Sequence, residues 1–124
     1  MNSYNHIFIA GPLTLNCYHN RAHIVPDAEI EFDPKEFHTL HMLAVREDIP
    51  LTFEQIYDAV WELDDGMDRR IEAKKGLTNV IEQINTAGNG FVWIDGEPSS
   101  GVTFRTKWAH NREKWLHQVK STNN

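Results

Sequence analysis

The strongest constraint in this sequence is a pair of helix-start signatures with a proline break between them. Asp33-Pro34-Lys35-Glu36 combines an N-cap acceptor, a proline at the first helical position and a glutamate able to reach back to the cap. Phe37, Leu40, Leu43 and Ala44 then recur at three- and four-residue spacing, which predicts a helix with one apolar face up to about Val45. Ile49-Pro50 interrupts the pattern, and Thr52-Phe53-Glu54-Gln55 supplies a second capping box. Behind it, Phe53, Ile56, Tyr57, Val60 and Trp61 fall on one side of a second helix. Two capped helices joined by a short turn fit a helix-turn-helix, although helical hairpins of other folds share the description.

A third, longer helix is expected from about Asp68 to Ala87, with Gly88 free to take a left-handed capping conformation. At about 100° per residue, Ala73, Leu77, Val80, Ile81 and Ile84 cluster on one arc, and Lys75, Thr78, Asn79, Glu82 and Gln83 on the opposite one. Extended segments flank the helices. Between His6 and Asp33, alternation in Leu13-Thr14-Leu15-Asn16-Cys17 and turn formers at Gly11-Pro12, His19-Asn20 and Pro26-Asp27 predict three or four antiparallel strands, the last from Glu29 to Phe32. After the helices, residues 90–95 and 101–106 read as a hairpin around Gly96-Glu97-Pro98-Ser99-Ser100. The class is therefore α+β: an N-terminal antiparallel sheet, three helices and a C-terminal β-hairpin.

A length of 124 residues suits one domain, and 40% hydrophobic residues argue against disorder. The domain is expected over residues 1–108, followed by a basic tail at 109–124 in which a short helix would use Trp108, Trp115 and Val119 for packing. Cys17 is the single cysteine, so no internal disulfide can form, and the N-terminus lacks a secretory pattern. No apolar run approaches the roughly 20 residues that span a bilayer. The expectation is a cytoplasmic protein without a membrane partner. The formal charge of −6 counts against nucleic acid, yet Arg105, Lys107, Arg112, Lys114 and Lys120 face only Glu113 within residues 105–124.

The order of elements resembles the winged-helix output domain of the OmpR/PhoB class of bacterial response regulators. Residues 32–40, Phe-Asp-Pro-Lys-Glu-Phe-His-Thr-Leu, resemble that family's Leu-Thr-x-x-Glu-Phe-x-x-Leu entry to its first helix. Residues 51–61, which end in Val60-Trp61, are similar to its second helix, and residues 6–32 supply the N-terminal sheet that marks the class. The likeness covers about residues 6–106. It implies a winged helix-turn-helix that binds double-stranded DNA through its third helix and hairpin wing, as a transcription regulator without a receiver domain. Where the family carries a basic run of the form Arg-Arg-Leu-Arg-Lys-x-Leu, this chain has Thr78-Asn79-Val80-Ile81-Glu82-Gln83-Ile84. Ser100-Gly101-Val102-Thr103-Phe104 stands in place of its Gly-x-Gly-Tyr.

The residues expected at DNA are Arg69, Arg70, Lys74, Lys75, Thr78, Asn79 and Gln83 on the third helix and Arg105 and Lys107 on the hairpin. Arginine and lysine hold phosphates, while Asn79 or Gln83 can pair bidentately with adenine in the major groove. Glu82 opposes this, because phosphates repel a carboxylate. The alternative is a winged helix that has lost DNA binding and contacts a protein partner or a second copy of itself. Cys17, His19 and His23, or His38 and His41, lack the paired four-ligand spacing of structural zinc, so no metal or other cofactor is expected. Phosphate-cradling glycine motifs and nucleophile elbows are absent as well, which speaks against an enzyme.

Overall fold

A computed structural model describes residues 7–63 and 65–107. Four short strands, β1 (Ile7–Ala10), β2 (Leu13–Asn16), β3 (Arg21–Ile24) and β4 (Ala28–Glu31), form an antiparallel meander in that order. Phe8 opposes Leu15, Leu15 opposes Ala22, and Ala22 opposes Ile30. This register follows from strand alternation, since Leu13, Leu15, Ala22 and Ile24 all point into the core. The last strand begins and ends one residue earlier than its sequence pattern implied, and Phe32 is buried just beyond it.

Both capping boxes close as expected. Asp33 accepts from the Glu36 amide at 2.8 Å, and Glu36 accepts from the Asp33 amide at 3.4 Å, opening α1 (Pro34–Val45). Thr52 and Gln55 make the same exchange at 3.2 and 2.8 Å, opening α2 (Phe53–Ile56). Beyond Ile56 the chain departs from the α-helix that the periodicity suggested. Tyr57–Trp61 forms a wider π-helical turn, closed by the Glu62 amide on the Tyr57 carbonyl at 2.9 Å. Phe53, Ile56, Tyr57, Val60 and Trp61 are all buried nonetheless.

The Trp61 indole is 5% exposed, and its Nε1–H donates to the Thr39 hydroxyl at 3.3 Å. Thr39, itself buried, donates to the Lys35 carbonyl at 2.9 Å, and the Lys35 ammonium donates to the Val60 carbonyl at 2.8 Å. These bonds fasten the π turn to α1. On its other side the indole meets α3 (Arg70–Ala87) at Gly76, where an added Cβ would fall 2.7 Å from Trp61 Cζ2. A glycine in a helix interior costs about 1 kcal/mol relative to alanine. Here it provides the clearance that lets α3 lie against the tryptophan.

α3 starts two residues later than expected, and Gly88 at its end keeps φ −71°, a right-handed value. The left-handed positions come next, at Asn89 and Gly90, with φ 55° and 82°. The reversal therefore sits one turn position beyond the expected cap. It feeds β5 (Val92–Glu97), which begins two residues later than its sequence pattern, and β5 pairs with β6 (Gly101–Thr106). Leu51 forms an isolated bridge to Val102, joining the chain before α2 to this hairpin.

Gly76→Ala tests the contact with Trp61. Overpacking of about 1–3 kcal/mol should outweigh the better helix propensity, so Tm should fall. A Trp61→Leu background should remove that loss, and a stabilised single variant would refute the close approach. His41 gives a second test, since its ring lies 5.5 Å from Phe8 and 6.4 Å from Phe37, between β1 and α1. Burial lowers its pKa, with His38 and Arg46 acting in the same direction. The folded state thus disfavours the proton. The resulting stability is complete above the ordinary value of 6.5 and declines as pH falls through it toward the folded value. His41→Phe should shrink the drop in Tm between about pH 7.5 and about pH 5.5, as read by thermal denaturation.

Candidate nucleic-acid interface

The start of α3 has no side-chain cap of its own, and the π turn takes over that task. The Tyr57 hydroxyl accepts from the Arg69 amide at 2.9 Å, and the Asp68 carboxylate accepts from the Arg70 amide at 3.0 Å. Both arginine side chains are already engaged. Arg69 donates twice to Asp65, at 3.0 and 2.8 Å, and these bonds hold the Asp65 carboxyl down at about 2. Arg70 lies 4.6 Å from the Tyr57 ring centroid and reaches Glu54 at 3.3 Å and Asp68 at 3.7 Å.

Further along α3, two recesses run beside a shared ridge formed by Lys74 and Thr78. The larger, about 590 Å³, lies between Thr52, Phe53 and Glu54 at the start of α2, Arg70 and Leu77 on α3, and Pro98 and Ser99 of the hairpin turn. The Phe53 amide donates to the Pro98 carbonyl at 2.8 Å, which holds its two walls together. Lys74 Nζ sits 5.6 Å from the Phe53 ring centroid. The smaller recess, about 310 Å³, is bordered by Lys75, Asn79 and Glu82 as well as the ridge. Among the described residues, neither Lys74 nor Lys75 makes an ion pair.

Five of the expected residues, Arg70, Lys74, Lys75, Thr78 and Asn79, therefore converge on this strip. Asn79 is half-buried and the other four are exposed. Gln83 is exposed but lines neither recess, and Arg69 is turned toward Asp65. The hairpin cations lie elsewhere. Arg105 donates to Asp95 at 2.9 Å and to Asp48 at 3.4 Å, and just past the end of β6 the Lys107 amide bonds to the Phe91 carbonyl. The walls supplied by Thr52, Phe53, Glu54, Pro98 and Ser99 were missed as site residues. Their capping and turn signals were visible in the sequence, but nothing local indicates that the two segments meet.

The hairpin is fixed to α3 by one amide side chain. Asn85 Oδ1 accepts from the Ile94 amide at 2.7 Å, and Asn85 Nδ2 donates to the Ile94 carbonyl at 3.0 Å. It thereby occupies the side of β5 that β6 leaves open.

No protein-family model and no curated protein sequence matches this chain. Solved structures do. The DNA binding domain of E. coli CadC aligns with a TM-score of 0.61 over 77% of this chain and 88% of that one, at 13% identity. The DNA binding domain of CpxR from E. coli aligns with a TM-score of 0.59 over 81% of this chain and 96% of that one, at 18% identity. The protein has the winged-helix fold. At these identities the likeness is one of architecture, and it matches the sheet, helices and hairpin implied by the two helix-entry segments. Within this fold α3 is the third helix and β5–β6 forms the wing. Among the described residues, no helix is long and apolar enough to cross a membrane, and no group of three potential metal ligands is present.

Asn85→Asp keeps the acceptor for Ile94 but sets a second carboxylate oxygen against its carbonyl, whereas Asn85→Ala removes both bonds. Either change should cost about 1–3 kcal/mol and accelerate amide exchange at Ile94. Unchanged exchange at that amide would show that the side chain does not hold the wing.

Proposed function

We propose that this winged helix binds double-stranded DNA as the DNA-contacting part of a transcription regulator. The outward strip of α3 enters the major groove, and a phosphate backbone lies along the recess between α2, α3 and the wing turn. The observation that carries this reading is the convergence of Lys74, Lys75, Thr78 and Asn79 on one solvent-facing strip bordered by the wing. Lysines without acidic partners can neutralise phosphates, and the Asn79 amide presents the donor and acceptor that match adenine. The DNA-binding domains named among the structural neighbours support the same reading.

Arg69, Arg70 and Arg105 have a different part. Their ion pairs orient the start of α3 and the base of the wing, so in this reading they contribute little phosphate charge.

A second reading is favoured by a separate observation. Leu63, Met67 and Ile71, around the link from α2 to α3, are 42%, 62% and 74% exposed. Exposed apolar side chains this close in sequence suit a protein contact. With Glu72 and Glu82 also exposed on α3, the domain could act through a protein partner or a second copy of itself.

A salt-dependent titration against a genomic-fragment library of duplex DNA separates the two. Lys74→Glu and Lys75→Glu should weaken binding to every sequence and reduce the slope of log affinity against log salt by roughly one unit each. Arg105→Glu should leave that slope nearly unchanged. Asn79→Ala should cost about 1–3 kcal/mol on the preferred site and little on random DNA, and Glu82→Gln should strengthen binding generally. Absence of duplex binding near physiological salt, or lysine variants that bind like the wild type, would reject the DNA reading in favour of the protein-contact one.

A further inference from the structure

The larger recess has a chemistry that a nucleic-acid backbone uses only in part. At about 590 Å³ it falls within the range of small-molecule sites, and its walls come from the α2 entry, α3 and the wing turn. The Phe53 amide bond to the Pro98 carbonyl, at 2.8 Å, ties the α2 entry to the wing turn, and the Thr52–Gln55 capping box sets that entry. The cavity is thus part of the bonding of the fold itself.

Phe53, Leu77 and Pro98 give it an apolar lining. Two cations and one carboxylate also line it, and the cations are not equivalent. Arg70 pairs with Glu54 at 3.3 Å, lies 3.7 Å from Asp68 and rests 4.6 Å from the Tyr57 ring centroid. Lys74 makes no ion pair among the described residues, and its Nζ lies over the Phe53 ring, 5.6 Å from the centroid. One uncompensated positive charge therefore stands beside apolar surface. That juxtaposition suits a flat apolar body carrying one anionic group, because the body covers the apolar lining while a carboxylate accepts a charge-assisted hydrogen bond from the ammonium. The Thr78 and Ser99 hydroxyls, which also line the recess, can donate to the second carboxylate oxygen. A phosphodiester would engage the lysine and leave the apolar lining uncovered.

We propose that this recess binds a small aromatic monocarboxylate, with its ring against Phe53, Leu77 and Pro98 and its carboxylate on Lys74. In the proposed DNA contact the same lysine faces a phosphate, so such an acid would compete with duplex for one cation. That competition rests on the DNA reading; the binding of the acid does not.

Titration of the full chain with cinnamate in the absence of DNA, followed by amide NMR spectra, tests it. Saturable shifts should centre on the amides of Phe53, Leu77 and Ser99, with a dissociation constant of about 1 mM for a probe of this size. Cinnamamide keeps the ring and loses the charge, and inorganic phosphate keeps a charge and lacks the ring; each should bind at least ~10-fold more weakly. Lys74→Met should weaken cinnamate by about 10-fold and leave cinnamamide as it was. Arg21→Met, an equal loss of charge on β3, should change neither. Sheet and α1 amides should keep their positions in both variants, which separates loss of the site from loss of the fold. Absence of saturable shifts at Phe53, Leu77 and Ser99 by about 10 mM would overturn the proposal. So would equal binding of cinnamamide or of phosphate, or a Lys74→Met variant that binds cinnamate like the wild type. No duplex is present, so failure of the DNA reading leaves each of these outcomes unchanged.

Discussion

The orientation of the third helix depends on the seat of the Trp61 indole. On one side it bonds to Thr39, whose own hydroxyl proton goes to the Lys35 carbonyl, so the ring is fixed relative to α1. On the other side Gly76 gives α3 its closest approach. The π turn presents this ring and also carries Tyr57, whose hydroxyl receives the first amide of the α3 entry. A wider helical turn is a rare and locally unfavourable geometry, usually kept where it re-aims side chains. In this protein it aims two aromatic residues at opposite tasks, one into the core and one at the start of α3.

The electrostatics follow from how these elements meet. Arg70 reaches back from α3 to Glu54 on α2, and Arg105 crosses from the wing to Asp48 in the α1–α2 turn. Such exposed pairs contribute little stability individually, but they fix where cations point. Ionic strength would screen the remaining positive field of Lys74 and Lys75 over roughly 8 Å at physiological salt. On the proposed reading, a DNA contact through this strip relies on shape and hydrogen bonding close at hand more than on steering from a distance.

Much of the fold was legible because its signals are local. Asp33 and Glu36, like Thr52 and Gln55, specify their helix starts within four residues, and the alternation at Leu13 and Leu15 fixes which face of the sheet is buried. The π turn left no mark, because Phe53, Ile56, Tyr57, Val60 and Trp61 satisfy α-helical spacing equally well. Nothing local marks Gly76 either, since only the fold lays the tryptophan against it. For the candidate site, the strip from Lys74 to Asn79 could be read from helical periodicity. The long reach of Arg70 and Arg105 could not, since they engage acids 16 and 57 residues away. Local sequence contains no measure of such distances.

The bond from Phe53 to the Pro98 carbonyl has a consequence for the order in which the molecule assembles. It joins opposite walls of the larger recess, and it can form only after the wing turn has returned across the whole of α3. α1, α2 and α3 can gather their mostly near-neighbour contacts first, whereas closing a loop of this length is slow and entropically opposed. During synthesis from the N-terminus, a chain emerged only as far as α3 would carry its helix signals without yet having a recess. The recess would then be the last feature of the fold to form.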